Sequence, residues 1–153
     1  DSLLDRMDVI PPSLALAQSA EESGWGTSRF VREGNALFGQ WVFSDKRHMT
    51  PAQRDEGMSH RIKAFRSLVD SIRAYATNLN THRAYTAFRR ERAAMRASGG
   101  PVDGMVLAGQ LTRYSARGAR YVEAIRSIIS VNRLGQLDDA RLHDGTLVSE
   151  PVI

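Results

Sequence analysis

The segment from residue 37 to residue 64 interrupts a chain whose hydrophobic spacing is otherwise helical. Residues 37–43 are rich in aromatic and β-branched side chains, and residues 58–64 place apolar and basic side chains on alternating sides of an extended chain. Each stretch is therefore typical of a strand. The polar residues 45–57 between them predict a wide loop. A small β-hairpin lobe within a helical chain makes the predicted fold class α+β, mainly α.

Helices account for most of the remaining chain. Apolar residues at helical spacing, with Pro and Gly at the breaks, predict helices over residues 2–9, 12–23, 29–33, 67–79, 84–97, 102–111 and 121–132. Thr27 or Ser28 can cap the third helix, and Ser67 with Asp70 forms a capping pair for the fourth. In the fifth helix, residues 89–92 form a charged face opposite the apolar one.

Length and composition predict one domain. The chain has 153 residues, of which 42% are hydrophobic, and this suffices for a single core. Residues 135–153 have no sustained apolar period, so we predict a domain over residues 1–134 and a C-terminal tail over 135–153. The absence of Cys excludes disulfides, thiolate metal clusters and a Cys nucleophile. No run of 18 apolar residues predicts a membrane span, and a start without Met fits a piece of a longer, exported precursor.

The charge of the chain favours an anionic partner. Twenty-one basic residues against 17 acidic ones give a formal net charge of +4, which leaves nucleic acid, anionic lipid and acidic polysaccharide as candidates. The four His lie far apart in the sequence, so no metal site is predicted. The chain also lacks glycine fingerprints for nucleotides, the paired His of zincins and the Gly-x-Ser-x-Gly motif of serine hydrolases.

Two carboxylates end the predicted helix over residues 12–23, directly before a Gly-Trp-Gly turn. They belong to Glu21 and Glu22. A carboxyl beside an aromatic wall loses solvation, and both this loss and the negative end of a helix raise its pKa. Such a Glu can act as a general acid near neutral pH. The spacing alone also fits a solvated Glu pair followed by a glycine that ends the helix.

Four motifs follow each other in a characteristic order. They are ESGWGTS at residues 22–28, GNALFGQW at 34–41, and two stretches that begin and end with Tyr, at 75–85 and 114–121. From about residue 9 to residue 132 the chain thereby resembles the β-N-acetylglucosaminidase domain of bacterial cell-wall hydrolases, glycoside hydrolase family 73. The resemblance implies a lysozyme-like helical lobe facing a small β-hairpin lobe, with a peptidoglycan glycan strand in the groove between them.

The resemblance also implies roles for individual residues. The catalytic Glu of the family falls on Glu22. A second carboxylate is implied in the loop of the β-lobe, where we favour Glu56 over the alternatives Asp45 and Asp55. Tyr114 is implied to hydrogen-bond the substrate or the catalytic water. Substrate contacts are implied for Phe38, Gln40, Trp41 and Tyr121.

Some of these side chains also have a structural interpretation. Phe38 and Trp41 can instead belong to the core of the small lobe, and Tyr121 can be a packing residue within its apolar helix. Trp25 is expected to hold the turn after the acid. Glu21 departs from the family pattern, because relatives often carry an apolar residue there, and it places a second carboxylate next to the first.

The implied function is hydrolysis of the β-1,4 bond on the reducing side of N-acetylglucosamine in peptidoglycan. Retention, inversion and substrate assistance all stay open. The implied enzyme is an exported monomer of the bacterial periplasm or cell envelope, which binds peptidoglycan glycan strands but no nucleic acid and uses no metal or cofactor. The nearest alternative is a lytic transglycosylase. Ala36, where relatives often have Asn, leaves open a noncatalytic glycan-binding module, whereas nucleic-acid binding rests on charge alone.

Overall fold

Helices build the body of the protein, and three short strands form a separate small sheet. The computed structural model describes residues 2–42, 48–49 and 61–140. The helices are α1 (Pro12–Ser23), α2 (Arg29–Gly34), α3 (Leu68–Thr81), α4 (Thr86–Ala97), α5 (Gly104–Ala108) and α6 (Ala119–Val131), and the strands are β1 (Trp41–Val42), β2 (His48–Met49) and β3 (Arg61–Lys63). Short 3-10 turns lie at Leu4–Arg6, Arg83–Tyr85 and Leu134–Leu137. The predicted α+β, mainly α class is confirmed.

Helix α1 lies at the centre of the helical body. It contacts α5, α6 and the last 3-10 turn, and its inward residues Leu14 and Ala17 are fully buried. Pro12 opens the helix, where its missing N–H is not needed. Gly24 ends it with a φ of 56°, a conformation that favours glycine. The predicted bounds of this helix are confirmed, and they place Glu22 in its last turn.

The β-lobe is an antiparallel sheet with the strand order β1-β3-β2. Strands β1 and β3 pair through Trp41 and Ile62, so the pairing of the two predicted strands is confirmed. Strand β2, which pairs with β3 through Met49 and Ile62, lies where we predicted only a loop. Strand β1 also begins later than predicted, because Gly39 has a φ of 58° and an extended strand needs a negative φ.

The predicted N-terminal helix over residues 2–9 is wrong, since this segment forms a 3-10 turn followed by bends and irregular chain. The guanidinium of Arg92 donates to the main-chain oxygens of Asp5, Asp8 and Val9 at 2.6–3.1 Å. These carbonyls therefore bond a side chain from α4 instead of the amide groups of a local helix.

The charged face predicted for α4 is also wrong at two positions. Arg89 and Arg92 are both buried. Arg89 donates to the carbonyls of Leu79 and His82, each at 3.0 Å, and so satisfies main-chain groups at the end of α3. The two cations tie α4 to α3 and to the N-terminal segment rather than face solvent.

Residues beyond 134 continue into the fold as far as the structure describes them. The carboxylate of Asp138 accepts hydrogen bonds from the main-chain N–H and hydroxyl of Ser13, at 2.8 and 2.7 Å, and from the N–H of Gly104 at 2.9 Å. It thereby joins the starts of α1 and α5. The boundary after residue 134 stays a prediction, and residues 141–153 lie outside the described residues.

Candidate active site

A cleft of about 830 Å³ lies between the helical body and the β-lobe. Its walls come from distant parts of the chain, because Glu22 lies in the last turn of α1, Lys63 ends β3 and Asn78 belongs to α3. The remaining lining residues are Phe38, Gly39, Gln40, Ala74, Thr77, Tyr85, Tyr114, Ser115 and Ala116. Among the described residues that line the cleft, the charged ones are Glu22 and Lys63.

The environment of Glu22 suits a proton donor. Its side chain is partly buried, and this loss of solvation raises the pKa of the carboxyl above its usual value of 4.5. A hydrogen bond from Tyr121 and the charge of Arg117 act in the opposite direction, while the neighbouring charge of Glu21 adds to the rise. The backbone of Gly39 approaches so closely that a Cβ there would lie 3.2 Å from Glu22 Oε2. The carboxyl thus sits in a tight, poorly solvated end of the cleft.

The carboxylate of the neighbouring Glu21 binds a different partner. It accepts a hydrogen bond from Arg117 at 2.6 Å. The guanidinium of Arg117 also lies 5.5 Å from the centre of the Tyr121 ring, within cation–π range. The two adjacent carboxylates are therefore distinguished by geometry, since Glu21 forms an ion pair beside the cleft and Glu22 lines it.

Tyrosines, and not Trp25, form the aromatic surroundings of Glu22. Tyr114 stacks on Tyr121 with ring centres 5.5 Å apart and lies 6.1 Å from Tyr85. Trp25 is 65% exposed, so its indole ring does not hold the turn as expected. Hydrogen bonds hold the turn instead, from the Gly26 N–H to Ser23 Oγ at 2.8 Å and from Thr27 Oγ1 to the Gly24 carbonyl at 2.6 Å.

Tyr114 lines the cleft beside Glu22, as the proposed contact with substrate or water requires. Burial raises the pKa of its phenol well above 10, so the hydroxyl keeps its proton at neutral pH. That hydroxyl lies 3.4 Å from the carbonyl oxygen of Phe38. This bond is long and therefore weak, so a bound sugar or water can compete for the donor.

The other predicted substrate residues differ in how far they reach the cleft. Gln40 lines it, and Phe38 lines it from a nearly buried position, stacked on Tyr75 with ring centres 3.9 Å apart. Phe38 therefore both packs as a core residue and lines the cleft where a substrate could contact it. Trp41 is the first residue of β1, and its side chain is not among those that the structure describes. Tyr121 is 1% exposed and lies behind the cleft, so this placement does not support a direct contact with sugar.

Glu56, Asp45 and Asp55 lie outside the described residues. Their predicted role as a second carboxylate remains a prediction.

Sequence reasoning missed one buried polar residue at this site. Gln18 is fully buried and hydrogen-bonds both Tyr75 and Tyr121. It precedes Glu22 by four residues and so lies on the same face of α1, a spacing that was available in the sequence. Lys63 was also missed as a cleft residue, because only the sheet pairing brings it there.

The structure shows neither a metal site nor a membrane-spanning helix in the part of the chain that it describes. Within residues 2–42, 48–49 and 61–140, no three His, Asp or Glu side chains come together in a way that could hold an ion. None of the described helices combines the length and the apolar character needed to cross a bilayer.

Comparisons with known proteins agree with the fold. The sequence model of the glucosaminidase family, described as mannosyl-glycoprotein endo-beta-N-acetylglucosaminidase, matches residues 2–134. Protein bax of Escherichia coli (strain K12) is 39% identical over 121 residues, which cover 79% of this chain and 42% of that protein. The chain thus spans less than half the length of this relative. The catalytic domain of the autolysin Auto from Listeria monocytogenes superposes with a TM-score of 0.59 at 20% identity, covering 84% of this chain and 75% of that domain. The resemblance inferred from the motifs is confirmed, and the chain belongs to the glucosaminidase family.

Proposed function

We propose that this chain is a glycoside hydrolase that cuts the β-1,4 bond on the reducing side of N-acetylglucosamine in peptidoglycan, with Glu22 as the general acid. The observation that carries the proposal is the position of Glu22, whose carboxyl lines the cleft with a raised pKa. A carboxyl whose pKa is raised keeps its proton to a higher pH than a free carboxyl does, and it can donate that proton to the departing glycosidic oxygen. Membership of the glucosaminidase family supports the same reaction class.

The charges of the cleft and the chain fit this substrate. Peptidoglycan carries carboxylates on its lactyl and peptide groups, and Lys63 offers a cation on the β-lobe side of the cleft. The net charge of +4 attracts the same polymer at longer range. The name of the Listeria relative, an autolysin, supports a cell-wall substrate. We also propose that the protein acts in the periplasm or cell envelope of a bacterium, and that it acts there as a monomer.

The remaining steps depend on how the second carboxylate acts. We propose Glu56 for this role, as a nucleophile or as a base for water, with Tyr114 orienting the water or the acetamido group. If this is right, Glu56→Gln lowers kcat strongly and changes KM little, because the group acts on charge that develops in the transition state. Asp45→Asn and Asp55→Asn serve as controls from the same loop. Near-normal turnover in all three variants would instead favour substrate assistance.

A digest of purified peptidoglycan tests the proposed reaction. Mass spectrometry of the products should show muropeptides that end in a hydrated, reducing N-acetylglucosamine. Anhydromuramic ends would identify a lytic transglycosylase, and release of no fragments would leave a noncatalytic glycan-binding module. Glu22→Gln should lower turnover by about 10² to 10⁴ fold, since the amide cannot supply a proton. Glu21→Gln is the matched control and should retain most activity, because Glu21 pairs with Arg117 outside the described cleft lining.

A further inference from the structure

We propose that Gln18 is a positioning residue that orients the hydroxyl of Tyr121 so that its single proton points to Glu22. The inference rests on the proposed role of Glu22. The tyrosines at 75 and 121 lie on either side of the Gln18 amide, and all three side chains are buried, with exposures of 0–1%. Tyr75 donates its hydroxyl proton to Gln18 Oε1 at 2.7 Å, and Gln18 Nε2 donates to the Tyr121 oxygen at 2.9 Å.

The two ends of the Gln18 amide set the direction of this chain of hydrogen bonds. The amide oxygen can only accept, and the amide nitrogen can only donate. Because Tyr75 occupies the oxygen, the NH₂ group faces Tyr121. The Tyr121 oxygen then accepts a hydrogen bond from Gln18, and its own proton is available for the carboxylate of Glu22, whose pKa the Tyr121 hydroxyl lowers.

The opposite orientation of the amide is unfavourable. The amide oxygen would then face Tyr121, which would have two acceptors, Gln18 and Glu22, competing for one proton. The amide NH₂ would face Tyr75, whose proton would lose the acceptor that it has among the described residues. A buried donor without an acceptor costs about 1–3 kcal/mol. Tyr75 therefore selects the amide orientation that frees the Tyr121 proton for Glu22.

This arrangement matters most at the moment when the acid gives up its proton. Negative charge then develops on Glu22, and a donor that is already aligned stabilises it without reorganisation. In the resting enzyme the Tyr121 hydroxyl counteracts desolvation, because it lowers the pKa of the Glu22 carboxyl. Loss of the alignment should raise this pKa further and slow proton transfer. Among the described residues, the other titratable or charged groups that face Glu22 are Glu21, Arg117, Tyr85 and Tyr114, with Lys63 in the same cleft.

Titration of Glu22 by carboxyl ¹³C NMR tests the proposal independently of catalysis. The pKa of Glu22 should rise by about half a unit or more in Gln18→Met and in Tyr121→Phe, since a hydrogen bond to the charged form holds a carboxyl pKa down. Tyr75→Phe keeps the ring that stacks on Phe38 and removes only the group that orients the amide, so it should shift the titration in the same direction. Ser13→Ala is the control, because Ser13 is an equally buried polar residue that bonds Asp138 away from the cleft.

A double variant shows whether Gln18 acts through Tyr121. If it does, Gln18→Met combined with Tyr121→Phe titrates like Tyr121→Phe alone, whereas additive shifts would overturn the proposal. An unchanged Glu22 pKa in folded Gln18→Met and Tyr75→Phe would overturn it as well. In kinetics, the basic limb of the kcat profile should move to higher pH and kcat should fall by about tenfold, with little change in KM. A Glu22→Gln protein that retains activity would refute the proposed function instead, and the NMR result would still decide whether the chain of hydrogen bonds exists.

Discussion

Glu22 is held in surroundings that oppose its own charge, so it should cost stability at neutral pH. Its pKa is raised in the folded state, chiefly by desolvation. The raised pKa contributes stability that is fully present below the unfolded pKa of about 4.5, and this contribution is lost as the pH rises through the higher folded value. We therefore expect Glu22→Gln to raise Tm at pH 7, by up to about 4 °C in a chain of this size.

The difference between Glu22→Gln and wild type should disappear in thermal melts below pH 4, where the wild-type carboxyl is also neutral. Glu21→Gln removes the same charge one residue away but breaks the ion pair with Arg117, so it should not raise Tm. A Glu22→Gln protein that is less stable than wild type at pH 7 would show that the carboxylate is well solvated or well paired, contrary to the geometry described above.

At the residue scale, sequence could locate the acid but not its surroundings. Glu22 belongs to a local motif, and adjacent residues on a helix face different directions, which already separates it from Glu21. The aromatic neighbours Tyr114 and Tyr121 come from a distant part of the chain. Tyr121 belongs to α6, which packs on α1, and Tyr114 lies in the turn before α6. The motif instead suggested Trp25, whose φ of 57° turns the chain while its ring remains exposed. The periodicity of a single sequence does not indicate which aromatic residues surround Glu22.

The turn that leads into β1 has its own testable consequence at the scale of a structural element. Gly39 has a φ of 58°, and a Cβ there would lie 3.2 Å from Glu22 Oε2. Gly39→Ala should therefore lower stability by about 1 kcal/mol through backbone strain, and it should also lower kcat by about tenfold or more by displacing the carboxyl.

Gly99→Ala separates strain from contact. Gly99 also has a positive φ, 74°, but a Cβ there would meet nothing within 4 Å. Gly99→Ala should lower the free energy of unfolding by a similar amount, measured by denaturant unfolding, and leave kcat within about twofold of wild type. Equal losses of kcat in the two variants would show that strain, and not the approach to Glu22, explains the effect of Gly39→Ala.

Elements were predictable where their signals are local. Helix α1 shows both of its ends as Pro12 and Gly24, and Ser67 caps α3 by accepting a hydrogen bond from the Asp70 N–H, as expected. Strand β2 has two residues and forms through its pairing with β3, so its own sequence carries no signal. The arginines of α4 were misplaced for a related reason, because a charged residue next to carbonyls of another segment cannot be recognised from helical periodicity.

The end of the folded unit is a property of the whole molecule. The match to the glucosaminidase family ends at residue 134, which is also where the apolar periodicity ends. The carboxylate of Asp138 nevertheless accepts three hydrogen bonds, from groups of Ser13 and Gly104 that open α1 and α5. Two helices that are far apart in sequence are thus joined by a residue beyond the predicted boundary.

Truncation and a point variant should locate this boundary. We expect a chain that ends after residue 140 to keep the stability and turnover of the whole chain, because the catalytic candidates Glu22 and Tyr114 and the contacts of Asp138 all remain. A chain that ends after residue 134 should lose about 2 kcal/mol or more of unfolding free energy, since hydrogen bonds to a charged acceptor contribute about 1.5–3 kcal/mol each and are not additive. Asp138→Ala should reproduce most of that loss.

At temperatures where both truncated chains are folded, their kcat values should agree within about twofold. The reason is that Asp138 contacts the starts of α1 and α5 and not the cleft. Equal stability of the two truncated chains in denaturant unfolding would place the boundary at 134, as the sequence alone predicts.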